Sequence, residues 1–219
     1  MPEPTNSMKL VSKLEWNAAR ISLTFGFLFV FLLGSLHFLE PEFDPTWRFI
    51  SEYALGKYGW MMPLAFISIA ISLASSGVAI FSKVRNVVGY IGLFIILLAV
   101  IGLLIAAFFK TDPIFTPQNE LTSSGQMHVL GASLDYSPLA FLLLSFSLAR
   151  HADWSSVKKW LFLSAVLSLA LTIRFIATIP ADAVFGPGVY SGLVGRFLML
   201  SYFGWLGTVS FHIFNLYKK

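Results

Sequence analysis

The chain has 219 residues, of which 57% are hydrophobic and 12% are charged, and its formal net charge is +4. A soluble domain usually carries about twice that charged fraction, so the composition excludes an ordinary soluble domain. The basic residues lie between apolar runs, so the positive charge does not indicate a nucleic-acid partner. The absence of cysteine excludes disulfides, zinc–thiolate sites and thiol nucleophiles.

Six apolar runs are each long enough to cross a hydrocarbon core of ~30 Å as a helix. They cover residues 17–38, 60–82, 88–109, 128–149, 160–180 and 190–216. No linker suggests a second domain, so we expect one all-α transmembrane bundle over residues 1–219. The polar first residues do not resemble a cleavable signal peptide, and the first run is expected to be a retained anchor.

The distribution of basic residues predicts the orientation of the spans. One side of the membrane collects Lys9, Lys13, Arg20, Lys83, Arg85, Arg150, Lys158, Lys159, Lys218 and Lys219, and the other side has Arg48, Lys57 and Lys110. We therefore expect a multi-pass protein of the cell membrane with both termini in the cytoplasm. The longer segments after the first and third spans are then extracytoplasmic.

The segment between the first two spans reads "HFLEPEFDPTWRFISEYALGKYGW" and predicts a short extracytoplasmic helix. Pro45 suits its first turn and Asp44 its N-cap. The carboxylates Glu40 and Glu42 are explained by the topology. Glu52 is harder to explain, because it lies next to the apolar face of this helix, where a carboxylate needs a partner.

Three charged residues lie well inside the predicted spans, where ionisable groups usually face the bundle interior. Asp135, Arg174 and Arg196 are each expected roughly 9–10 Å below the outer surface, so that three helices bring charges to one level. Their sum leaves one surplus positive charge. We expect Glu52 to supply the missing carboxylate or an anion to enter.

These residues predict a polar pocket that opens to the outer face. Its expected members are Glu52, Asp112, His128, Asp135, Arg174 and Arg196, with Ser51 and Tyr53 beside Glu52. His128 precedes Asp135 by seven residues, which places both on one helix face. The expected ligand is an anionic small molecule or a lipid head group, clamped by the two arginines while Asp135 orients them.

Three alternatives stay open. A membrane-embedded hydrolase or transferase acting on lipid, with or without a metal, would use Glu52 or Asp135 as base and His128 as acid or ligand. His37 and His128 are weak metal candidates, because no H-E-x-x-H pair occurs, so we assign no metal; any cofactor stays unknown. Haem between these two histidines is disfavoured, since two spaced histidines are common by chance.

The second alternative is a structural ion-pair network that fixes helix register. The third is transport. Neither an inverted repeat nor a pair of broken spans is visible, and Pro63, Pro138 and residues 186–188 are expected near span ends or in loops.

The stretch "LHFLEPEFDPTWRFISEYALGKYGWMM" resembles the bacterial and archaeal six-helix membrane proteins known as domain of unknown function 998. The matching residues are His37, Asp44, Pro45, Ser51, Glu52, Tyr53, Leu55 and Gly56, and "FFKTDP", "GQMHVLGA" and "GLVGR" extend the likeness over nearly the whole chain. The resemblance implies that Glu52, Asp112, His128 and Arg196 share one outer polar cluster, and it implies no function.

A more distant likeness is to membrane hydrolases of the ceramidase and progestin-receptor type. The chain departs from them because it has six spans rather than seven and lacks their paired histidines.

Overall fold

A computed structural model of the chain describes residues 11–218. Within that range the chain forms seven α-helices. They are α1 Lys13–Leu39, α2 Met61–Ile80, α3 Val87–Phe108, α4 Ser123–Ser133, α5 Ser137–Leu148, α6 Lys158–Thr178 and α7 Ser191–Tyr217. Short 3-10 helices cover Ile50–Leu55, Phe81–Lys83, Gln118–Glu120 and Ala152–Val157. The predicted all-α fold is confirmed.

Helices α4 and α5 lie in one span, Ser123–Leu148, so the described helices provide six segments that are long and apolar enough to cross a bilayer. By helix length and composition the chain is a multi-pass membrane protein. Each predicted span overlaps one of these six segments. The largest differences concern the fifth span, which begins at Ala152 instead of Trp160, and the fourth span, which begins at Ser123 instead of His128.

Helices α1, α3 and α4 begin where polar side chains bind their first backbone N–H groups. Ser12 and Glu15 form a reciprocal capping box at the start of α1. The Asn86 side chain accepts a hydrogen bond of 2.9 Å from Gly89 N in α3, and Thr122 accepts from Gly125 N in α4. Local sequence therefore sets these boundaries.

The helices pack in an order that places α7 between α1 and α6. α1 packs mainly on α2 and also on α7, α2 packs on α3, α3 packs on α4 and α5, and α6 packs on α5 and α7. The α3–α4 contact is close because Gly102 and Gly131 face one another. A Cβ on either glycine would collide with the carbonyl oxygen of the other.

The two ends of the bundle differ in their connections. At what we call the long-loop end, α1, α3 and α6 finish and α2, α4 and α7 start; it carries segments 40–60 and 109–122. At the opposite, short-loop end, the connections after α2 and α5 consist mainly of 3-10 turns.

The prediction of a continuous fourth helix is wrong. α4 stops at Ser133 and α5 starts at Ser137, so the break lies about halfway along the span. Pro138 has no N–H, and in a continuous helix its ring would clash with the carbonyl of Leu134, four residues earlier. The expectation that Pro138 lies near a span end or in a loop is therefore wrong, because it lies in the middle of the fourth span.

The segment between α1 and α2 also differs from its prediction. Instead of a helix from Pro45, it forms a turn in which Arg48 N donates to Asp44 O at 3.1 Å, followed by the 3-10 helix Ile50–Leu55. The extended backbone of Phe49, with ψ 151°, separates the two. Asp44 still caps its turn, since its Oδ1 accepts Thr46 N at 2.9 Å and Thr46 Oγ1 at 2.6 Å.

Candidate functional site

Arg196, in the second turn of α7, is buried, with 6% of its surface exposed. Its Nε donates to His37 Nε2 at 2.7 Å, and its Nη2 donates to the Tyr53 hydroxyl at 3.1 Å. Its Nη1 donates to the carbonyl oxygens of Arg48 at 2.7 Å and Gly192 at 3.0 Å. One guanidinium thus joins α7, α1 and segment 40–60.

His37 is oriented for this bond by its own helix. Its Nδ1 lies 2.7 Å from the carbonyl oxygen of Leu33, so Nδ1 carries the hydrogen and Nε2 is the acceptor that Arg196 requires. His37 is therefore a neutral imidazole. Both ring nitrogens are engaged, which leaves none for the metal role considered from the sequence.

Segment 40–60 covers Arg196. The backbone of Trp47 and Arg48 lies so close to Gly192 that no Cβ would fit there. The Leu193 N–H donates to the carbonyl of Thr46 at 2.9 Å, and Tyr53 is fully buried. The segment therefore folds back onto the start of α7.

Glu52 pairs with a different arginine from the one expected. Its Oε1 accepts a hydrogen bond from Arg48 Nη1 at 2.8 Å and another from the backbone N–H of Ile114 at 3.0 Å. The expected pairing of Glu52 with one of the two span arginines, Arg174 or Arg196, is therefore wrong. Arg48 is four residues before Glu52 and reaches it locally, while Arg196 is occupied by neutral acceptors.

The Arg48 guanidinium is held among aromatic rings. Its Cζ lies 4.8 Å from the ring centroid of Phe43, 5.0 Å from Trp47 and 5.2 Å from Phe115. These contacts are within the range of cation–π attraction. Arg48 is thereby fixed over the start of α7, with its carbonyl directed at Arg196.

Glu40, which the sequence explained by topology alone, is buried with 1% of its surface exposed. One of its oxygens accepts from Tyr58 N, and the carboxylate packs directly against Gly56. Its Oε2 has no hydrogen-bond partner among the described residues.

Several buried polar atoms at this end lack a hydrogen-bond partner among the described residues. Residues 11–218 contain seven such side-chain atoms, and four belong to the long-loop end: Glu40 Oε2, Arg48 Nε, Glu52 Oε2 and Ser191 Oγ. Buried polar groups are normally hydrogen-bonded, so these four atoms are exceptions at this end of the bundle.

We refer to His37, Arg48, Glu52, Tyr53 and Arg196 as the Arg196 cluster. Arg48 and Glu52 neutralise one another, whereas no described carboxylate lies within ion-pair distance of Arg196. The pKa of the half-buried Asp44 is below its ordinary value, mainly because the Thr46 side chain and backbone donate to it, with a smaller effect from the charge of Arg196.

Asp112 and His128 join α3 to α4 beside this cluster. Asp112 accepts from Thr122 N at 2.7 Å and packs against Gly125, at the start of α4. His128 Nδ1 lies 3.0 Å from the carbonyl oxygen of Ala106 and 2.8 Å from that of Phe109, so it caps the end of α3. The four residues that the resemblance grouped lie at one end, but Asp112 and His128 bind partners outside the Arg196 cluster.

Asp135 lies in the break between α4 and α5 and not beside Arg196. Its Oδ1 accepts from Ser137 N at 3.1 Å and Ser137 Oγ at 2.6 Å, and its Oδ2 accepts from the Tyr202 hydroxyl at 3.0 Å. Tyr202 is six residues beyond Arg196, about 9 Å deeper along α7. The predicted common level is therefore wrong for Asp135, because the fourth span begins before His128.

Arg174 lies at the expected depth but faces the wrong way. Its neighbour Phe175 packs against Gly195, next to Arg196, so α6 and α7 bring the two arginines to the same level. The side chain of Arg174 is exposed, because consecutive residues point in different directions around a helix. The predicted clamp of two arginines oriented by Asp135 does not form.

The long-loop end also contains a cavity of about 250 Å³ between segment 40–60, α2 and α3. Its lining is mostly apolar, with Lys110 at one edge, and Arg196 is not part of it. The expected open polar pocket is therefore replaced by a closed cluster. Ser51 is half-buried there and forms no side-chain hydrogen bond with the described residues.

The catalytic candidates do not come together either. Glu52, His128 and Asp135 each bind different partners, and none of the three accepts from or donates to another. In the described range, no three His, Asp or Glu side chains converge as ligands for a metal ion.

A family model described as Protein of unknown function (DUF998) matches residues 25–212. The chain belongs to this family. The resemblance found in the sequence is thereby confirmed, and the matched range includes the Arg196 cluster and Asp135. No match was found among curated proteins or among solved structures.

Three residues of the DUF998 chain with central contacts were not selected from the sequence: Arg48, Glu40 and Tyr202. Arg48 could have been found, because its spacing of four residues from Glu52 is typical of a local ion pair. Glu40 and Tyr202 carry no such signal, since their partners are 18 and 67 residues away.

Proposed function

We propose that this DUF998 protein binds an anionic group, a phosphate or a carboxylate, at the Arg196 cluster. The observation that carries the proposal is the environment of Arg196, which is buried and contacts only neutral acceptors. A buried charge without a counter-ion is unfavourable, so a ligand of opposite charge would stabilise it.

Unused donors support an anion at this place. A guanidinium has five N–H groups, and four of those on Arg196 have partners, so one on Nη2 is free. Arg48 Nε is a second buried donor without a partner. Charge-assisted bonds from these donors to phosphate or carboxylate oxygens are among the stronger hydrogen bonds in proteins.

Unused acceptors restrict the ligand further. Glu40 Oε2 and Glu52 Oε2 are buried and lack donors, and each would repel a bare anion. A ligand that carries hydroxyl or amine donors next to its anionic group would satisfy both kinds of site. This chemistry is that of a phospholipid head group, and a free phosphate ester shares it.

The position of segment 40–60 determines how a ligand would reach Arg196. Because the backbone of Trp47 and Arg48 covers Gly192, binding requires this part of the segment to move away from α7. The excess of basic residues at the short-loop end and chain termini supports placing the long-loop end outside the cytoplasm. The ligand would then come from the outer leaflet or the extracytoplasmic solution.

The proposal is tested by ligand-induced stabilisation of the purified full-length protein. Thermal unfolding is followed with phosphatidylglycerol, phosphatidylcholine or inorganic phosphate added to wild type, Arg196→Gln, Arg196→Lys and Arg174→Gln. Arg174→Gln is the matched control, because it removes an exposed arginine at the same level. We expect phosphatidylglycerol to raise the unfolding midpoint of wild type and Arg174→Gln, but not that of Arg196→Gln.

The ligand source follows from the same comparison. Stabilisation by phosphatidylglycerol alone identifies a lipid head group, whereas equal stabilisation by phosphate identifies a small anion. Arg196→Lys keeps the charge and should retain part of the response if Arg196→Gln is too unstable to measure. The proposal is rejected if wild type responds to neither anion, or if both Arg196 variants respond as fully as wild type.

A further inference from the structure

Asp135 occupies an unusual position in the spans. Apart from residues in first or last turns, it is the sole Asp or Glu of the six spans described in residues 11–218. It lies where the fourth span loses its helical backbone, and it is only partly buried. Non-helical backbone inside a span is tolerated where protein or water surrounds it, and ionisable residues there mark ion and proton pathways.

No cationic side chain among residues 11–218 forms an ion pair with this carboxylate. Its three hydrogen bonds come from Ser137 N, Ser137 Oγ and the Tyr202 hydroxyl, all of which are uncharged. The ion pairs within residues 11–218 are Arg48–Glu52 and Lys83–Glu15, and neither involves the break. The negative charge of Asp135 is therefore compensated only by dipoles.

The surrounding helices supply no hidden counter-ion. The charged or titratable side chains of α3 to α7 are Tyr90, His128, Lys158, Lys159, Arg174, Arg196, Tyr202, His212 and Tyr217. Of these, Tyr202 alone bonds to Asp135. Arg174 is exposed, Arg196 is bound at the long-loop end, and His212 Nε2 lies 2.8 Å from the carbonyl oxygen of Asp153.

The bonding pattern distinguishes a proton from a metal cation. Hard cations take a shell of oxygen ligands, each of which presents a lone pair to the ion. Here one neighbour is a backbone N–H, and both hydroxyls direct their hydrogens towards the carboxylate. This arrangement suits an anion that can be neutralised by one proton.

We propose that Asp135 takes up and releases a proton halfway along the fourth span. The proton comes from water and converts the carboxylate to a carboxylic acid. The new O–H then donates to the phenolic oxygen of Tyr202, whose own hydroxyl turns towards Ser137 Oγ, the other hydroxyl bound to Asp135. Both states keep the network bonded, and the break gives the local backbone freedom to adjust.

The site is independent of the anion site. Tyr202 and Arg196 are separated by about 9 Å along α7, and no hydrogen bond connects the two groups. A failure of anion binding would therefore leave the proton site untouched, and the reverse also holds.

The test is infrared difference spectroscopy of the full-length protein in neutral lipid vesicles, stepped from alkaline to acidic pH. We expect a carboxylic-acid carbonyl band to appear on acidification in wild type and to be missing in Asp135→Asn. Asn is a suitable replacement because it also caps helices. Glu42→Gln, which removes an exposed carboxylate outside both sites, is the control and should keep the band.

Tyr202→Phe provides a second assignment that does not depend on the folding of Asp135→Asn. Loss of the phenol removes one hydrogen bond from the acid, so the frequency of the same band should shift while the band persists. The proposal is overturned if wild type shows no titrating band, if the band survives in Asp135→Asn, or if Tyr202→Phe leaves its frequency unchanged.

Discussion

Arg196 and Asp135 are both charged groups inside the spans, and both contact only uncharged partners, yet they are held differently. Arg196 is bound by three separate parts of the chain, including two backbone carbonyls. Asp135 is bound by its own turn and by one residue of α7. The first site is enclosed by segment 40–60, and the second is partly exposed at a helix break.

The difference follows from what each group can do with its charge. A guanidinium does not lose its proton in proteins, so its charge has to be met by fixed acceptors or by an anion. A carboxylate can be neutralised by a single proton. A rigid, enclosed setting therefore suits Arg196, and an adjustable one suits Asp135. Three predictions test this contrast, beginning with the largest expected effect.

Removing Arg196 should cost far more stability than removing Arg174, which lies at the same level. We expect Arg196→Gln to lower the free energy of unfolding by about 4 kcal/mol, because His37 and two carbonyls lose a charged donor in a buried place. Arg174→Gln should change it by less than about 0.5 kcal/mol, as an exposed residue. Denaturant unfolding of both variants in one detergent measures the difference.

Equal losses in these two variants would contradict the view that Arg196 is fixed by its contacts.

A matched pair of tyrosines compares the two sites directly. Tyr53→Phe removes one hydroxyl from Arg196, and Tyr202→Phe removes one from Asp135. We expect Tyr53→Phe to cost about 2 kcal/mol at every pH, since the arginine stays charged. Tyr202→Phe should cost about 1 kcal/mol near neutral pH and less in acid, because a protonated carboxyl depends less on donors.

Unfolding of both variants across a pH series is the measurement. If Tyr202→Phe lost the same stability at all pH values, Asp135 would behave as a fixed charge like Arg196, and the contrast would disappear.

The smallest effect is expected at Asp44, whose pKa is lowered slightly by the charge of Arg196. Its folded pKa is below the ordinary value, so its contribution to stability is present above the ordinary pKa and is lost as the pH falls through the folded pKa. Asp44→Asn should remove this part of the acid sensitivity. The check is a comparison of unfolding midpoints on acidification, with Glu42→Gln as control.

A wild-type response retained in Asp44→Asn would assign the acid sensitivity to other carboxylates.

The Asp44 turn and the depth of Arg174 and Arg196 were predictable, because each depends on short-range rules. A carboxylate two residues before Thr46 caps its turn wherever the segment lies. The rise per residue fixes depth along a helix once its end is known. The predicted depth of Asp135 was wrong because it was counted from the start of its span, which had been placed five residues too late.

The sequence by itself determined the number of spans and the family, because the composition and length of each apolar run act locally. The break before Pro138 was not predicted, although the missing N–H of Pro138 also acts locally. The tertiary structure decided which charged groups meet. The rotation of α6 about its axis directs Arg174 outwards. Segment 40–60 folds back so that Glu52 pairs with Arg48, while Arg196 binds neutral partners. These pairings depend on how helices rotate and dock, which apolar patterns do not specify in lipid, where every face is hydrophobic.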